Sequence, residues 1–89
     1  MSTETYLNHP TLGLLFRVCV IEEDRELFAT LYAQRLFFLV VVSPEGVRFE
    51  PIGRADARLL VESRLRDLRR TGQQQDFYQL QAIHKQTFQ

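Results

Sequence analysis

Two rhythms divide this chain. Up to about residue 53, apolar and polar side chains alternate in short runs, the period of strands. Beyond it, apolar residues recur every three or four positions, the period of helices. "LGLLFRVCVI" (12–21) reads as a strand with Leu14, Phe16, Val18 and Val20 on one face and Arg17 and Cys19 on the other. "EEDRE" (22–26) is a polar turn. "LFATLYA" (27–33) alternates Leu27, Ala29 and Leu31 against Phe28, Thr30 and Tyr32. A further strand follows at about 35–42. "SPEG" (43–46) fits a type I turn. "VRFEPI" (47–52) places Val47 and Phe49 inward, and Pro51 and Gly53 then end the sheet. A short first strand at 3–7 makes five.

The second half predicts a helical hairpin. Ala57, Val61, Leu65 and Leu68 form one stripe over 54–70. Gly72 is suited to a left-handed cap. Phe77, Leu80, Ile83 and Thr87 form a weaker stripe over 73–89, with Tyr78, Ala82 and Phe88 beside it. Strands followed by helices define an α+β order: a small, bent, five-stranded antiparallel sheet (1–53) and two C-terminal helices (54–89). Strongly bent sheets of this size are partly open barrels.

The stretch "LYAQRLFFLVVV" (31–42) is apolar on both faces. Phe37, Leu39 and Val41 can join Leu27, Ala29, Leu31, Val47 and Phe49 inside the curved sheet. Leu36, Phe38, Val40 and Val42 then need a second cover. The pattern leaves two covers open, the helical hairpin or a partner protein. Tyr32 and Arg35 beside Leu36 and Phe38 have the composition of a protein-binding hot spot.

The 89 residues hold 11 basic and 11 acidic side chains. The halves differ, with four basic and seven acidic residues in 1–53 and seven basic and four acidic in 54–89. Net neutrality does not call for nucleic acid. The arginine-rich helix (Arg54, Arg58, Arg64, Arg66, Arg69, Arg70) nevertheless keeps a small nucleic-acid-binding barrel as an alternative, although Asp56, Glu62 and Asp67 interleave with it. The single cysteine, Cys19, excludes an internal disulfide and a cysteine-rich zinc site. Cys19, His9 and His84 form no nucleophile or metal pattern, and the four glycines form no phosphate loop. Neither an enzyme nor a bound cofactor is expected. No signal peptide or apolar run of membrane-spanning length occurs, so a cytoplasmic location is expected.

"YLNHPT" (6–11), "ELFATLYAQRLFFLV" (26–40), "RFEPIGR" (48–54), "LRDLRR" (65–70) and "KQTF" (85–88) resemble the cyanobacterial PII-interacting protein X family, small coactivators of the nitrogen regulator NtcA. Departures fall at 22–25, 42–47 and 71–76. The resemblance implies a Tudor-like, SH3-like bent sheet followed by two helices. It also implies an adaptor without catalysis. Members bind the trimeric signal protein PII when 2-oxoglutarate is scarce, and the dimeric, CRP-like activator NtcA when it is plentiful. PII links the family further to the regulator PlmA. By the same resemblance, the shared protein-binding surface falls on Glu4, Tyr6, Tyr32, Arg35, Leu36 and Phe38. Neither a membrane nor direct nucleic-acid contact is implied.

Overall fold

The computed structural model describes residues 6–30 and 36–88. Five strands form one antiparallel sheet in the order β1–β2–β3–β4–β5: β1 (Tyr6–His9), β2 (Gly13–Glu22), β3 (Arg25–Thr30), β4 (Phe37–Ser43) and β5 (Gly46–Ile52). Two helices follow, α1 (Arg54–Arg70) and α2 (Gln74–Phe88). The α+β order expected from the sequence is the order observed, with the sheet curled into a half-barrel.

The expected elements recur with shifted ends. β1 begins at Tyr6, and the expected strand residues 3–5 lie outside the described residues. β3 ends at Thr30, and the expected continuation through 31–33 likewise lies outside them. Pro51 does not end the sheet. It pairs with Phe38 inside β5, which is tolerated because β5 is an edge strand and the missing N–H removes no bond from a further neighbour. Thr71 and Gly72 stop α1 as expected. Gly72 adopts φ +75°, the Gln73 N–H donates to the Leu68 carbonyl at 2.9 Å, and the Gly72 N–H donates to that of Arg69 at 3.3 Å. This bond pair is a Schellman cap, which favours glycine at the left-handed position.

The assignment of faces differs from the reading of the sequence. The helices cover the Phe37 face, not the Phe38 face. On that side Val18, Leu27, Ala29 and Phe37 pack with Ala57, Val61, Leu68, Leu80 and Phe88 in one buried cluster. The Phe37 and Phe88 rings stack at 5.5 Å. On the other side the sheet curls over itself. Leu15, Phe28, Phe38 and Val40 form a second cluster, bordered by Leu7, Leu12 and Phe49. Phe49 therefore belongs with Phe38, its neighbour but one across the register, and Val47 is exposed.

A break in alternation explains part of the difference. Arg17 pairs with Phe28, but the next pair is Cys19 with Leu27, so one residue is extra. This bulge puts both Val18 and Cys19 toward the helices. A second irregularity between Val20 and Glu22 does the same for Ile21. Bulges add twist and bend, and here they let the ten-residue β2 serve both clusters.

Candidate protein-binding face

Of the residues expected to meet partners, Tyr6, Leu36 and Phe38 are described. The register runs Tyr6–Phe16–Ala29–Phe37–Ile52 across all five strands, and the adjacent row runs Leu7–Leu15–Thr30. Tyr6, Thr30 and Leu36 thus stand in these two rows. The Thr30 N–H donates to the Leu36 carbonyl at 3.1 Å, joining the two residues that bracket positions 31–35. Strand spacing puts Leu7 and Thr30 roughly 10 Å apart, two strands over. Glu4, Tyr32 and Arg35 lie outside the described residues. In sequence Glu4 stands two positions before Tyr6, and Tyr32 and Arg35 stand between Thr30 and Leu36.

The three described site residues differ in exposure. Leu36 is 50% exposed and Tyr6 43%. Both are large side chains with much of their surface exposed. Phe38 is only 9% exposed. Its cross-strand neighbours are Phe28 and Pro51, and the His9 ring stacks on it at 6.3 Å. Phe38 is therefore chiefly a core side chain, and Tyr6 and Leu36 carry most of the exposure; by register Tyr6 stands in the Phe37 row and Leu36 in the adjacent row, with the parity of Phe38.

His9 forms no nucleophile or metal pattern in the sequence, and in the fold it has packing and hydrogen-bonding partners. Its Nδ1 accepts from the backbone N–H groups of Thr11 and Leu12, each at 3.2 Å. That assigns the ring proton to Nε2. The same ring meets Phe49 edge-on at 5.2 Å. His9 thus holds the β1–β2 turn and closes the open side of the second cluster. The local signal was the proline and threonine that follow it in "NHPT", a turn composition.

The other chemical candidates are also occupied structurally. Cys19 packs against the helix-side cluster. Burial pushes its thiol up to about 12, with Arg64 and Arg17 opposing more weakly. A thiol held protonated is a poor nucleophile. Among the described residues no cluster of His, Cys, Asp and Glu could hold a metal ion, and no helix is long and apolar enough to cross a membrane.

The arginines of α1 divide into two groups. Arg54 donates to the Thr87 carbonyl at 2.6 Å and lies 5.3 Å over the Phe88 ring. It thereby sits at the C-terminal end of α2, where the helix dipole favours a cation. Arg58 pairs with Glu62 at 2.9 Å, and Arg70 with Asp67 at 3.1 Å. The Glu62 carboxylate also accepts from His84 Nε2–H at 3.0 Å, a bond the sequence did not suggest because His84 lies 22 positions away. Among the described residues, Arg64, Arg66 and Arg69 make no such bond.

A family model described as PipX, PII-interacting protein X, matches residues 3–88. This chain belongs to the PII-interacting protein X family. A comparison with curated proteins found no match. The PipX match spans the described sheet and both helices. The PipX family takes its name from interaction with PII, and it is a family of regulatory adaptors not known as enzymes.

Proposed function

We propose that this chain is an adaptor that partitions between PII and NtcA through one shared face. The observation that carries the reading is the PipX family match over residues 3–88, which includes Glu4, Tyr6, Tyr32, Arg35, Leu36 and Phe38. Tyr6 and Leu36 are exposed in adjacent rows of the sheet, and Glu4, Tyr32 and Arg35 stand within four positions of one or the other in sequence. Tyrosine and arginine are enriched among the residues that carry interface energy, and this set contains both. Arg35 and Glu4 supply charge-assisted hydrogen bonds and orientation.

A single face engages one partner at a time. No change of shape in the adaptor is then required for switching. 2-Oxoglutarate acts on the partners, weakening the PII complex and strengthening the NtcA complex, and its differential affinity for their states moves the adaptor. A tenfold change on each side, about 1.4 kcal/mol apiece, shifts the partition about a hundredfold. PlmA is reached through PII, in the cytoplasm, with no membrane or nucleic acid bound directly and no cofactor used. Three of the six α1 arginines are engaged within the chain, which disfavours the nucleic-acid reading.

Calorimetric titration into purified PII tests the proposal. Binding with ADP, lost or greatly weakened with Mg-ATP and saturating 2-oxoglutarate, is the expected result. Absence of binding under both conditions removes PII as a partner.

A further inference from the structure

A groove runs between α1 and α2, and no residue of the sheet lines it. One wall carries Glu62, Leu65, Arg66 and Arg69, spaced i, i+3, i+4 and i+7 on α1. The other carries Tyr78, Gln81, Ala82 and Lys85 at the same spacing on α2. Each wall is thus a single helical stripe two turns long. Leu65 and Phe77 form the floor, and both rest on the helix-side cluster. Tyr78 is 63% exposed, with its ring edge-on to Phe77 at 5.5 Å.

The charges around this floor are one-sided. Among the described residues Arg66, Arg69 and Lys85 are exposed and have no ion pair, nor have Arg25 on the sheet and the half-buried Arg64, whereas Arg17, Arg48, Arg54, Arg58 and Arg70 are bonded within the chain. Arg66 and Arg69, three positions apart, repel one another, and Glu62, four positions before Arg66, is the one acid of the lining that offsets them. The one acid in the groove, Glu62, is taken by Arg58 and His84.

We infer that this groove docks an acidic amphipathic helix from a partner protein. The partner's apolar stripe lies on Leu65, Phe77, Tyr78 and Ala82, and its carboxylates meet Arg66, Arg69 and Lys85. Three helices then close a layer that two leave open. An apolar floor flanked by unpaired cations matches such a helix on both counts. Phosphates would use the cations but leave the floor without a partner, so nucleic acid is the poorer fit. The inference does not rest on the PII and NtcA reading, because the groove shares no residue with that face.

The test is fluorescence anisotropy of a labelled peptide of about 14 residues, some four helical turns, with glutamates on one face and leucine and phenylalanine on the other. The probe is titrated with the full chain at about 0.05 M salt, where screening is weak. A scrambled peptide of the same composition and a single-stranded oligonucleotide of equal charge run alongside. The expected result is saturable binding of the amphipathic peptide, weakened about tenfold or more by Arg66→Glu with Arg69→Glu and several-fold by Tyr78→Ala. These side chains are exposed, so the variants should fold, which circular dichroism checks. Three results would overturn the inference: no binding, equal binding of the scrambled peptide, or tighter binding of the oligonucleotide.

Discussion

Leu36 and Phe38 stand two positions apart in one expected binding motif, yet substitution should affect them by different routes. Leu36 is half exposed, so Leu36→Ala should leave thermal stability nearly unchanged while weakening PII binding by about 1 kcal/mol or more. Phe38 is buried in a cluster, so Phe38→Ala should cost about 3 kcal/mol of folding stability before any partner is added. Calorimetry on each variant, with melting curves, separates the two. A Leu36→Ala chain that binds as well as the parent would remove Leu36 from the proposed face. Cys19 offers a different residue-level test. Because burial pushes its thiol up to about 12, alkylation at neutral pH should be slow in the folded chain and should quicken sharply in denaturant. Equal rates in both states would show that the thiol is accessible.

At the scale of elements, the carboxylate of Glu62 joins α1 to α2. Its hydrogen bonds from Arg58, and then His84, hold its titration below the ordinary carboxylate range. A depressed value in the folded state means that its contribution is complete at neutral pH and is lost as pH falls through that lower range. The melting temperature of the parent should therefore fall more steeply on acidification below about pH 4.5 than that of Glu62→Gln, and the gap between them should close. Parallel curves would mean that the bond adds nothing to folding. The helices themselves were legible in the sequence because their stripes are local: Ala57, Val61 and Leu68 are buried as spaced. Strand positions were legible for the same reason. Which face of β4 the helices cover was not. Alternation gives two faces without naming them, and the bulge at Val18 and Cys19 changes the parity of β2 partway along. His84 escaped notice because its partner is distant in sequence. The pair of rows that holds Tyr6 and Leu36 depends on register across strands, which a single run of residues does not reveal.

For the whole molecule, the question is whether the sheet stands alone. Removing residues 54–89 would uncover Val18, Leu27, Ala29 and Phe37 together. A chain of about 50 residues has little other core to offset that exposure. The expected outcome is that residues 1–53 alone show no cooperative thermal transition by circular dichroism. A sharp transition would instead make the sheet a domain in its own right, with the helices as an attachment. Leu27, Phe28, Ala29 and Thr30 are buried in succession, as are Phe37, Phe38, Val40 and Val41 about a half-buried Leu39. A sheet with one wet side would accept replacements at every second position. Here a saturation survey scored for folded protein should find two nearly unbroken intolerant blocks, one in β3 and one in β4. Heritable variation in this chain is accordingly pushed outward, to the turns and to the exposed flanks of its helices.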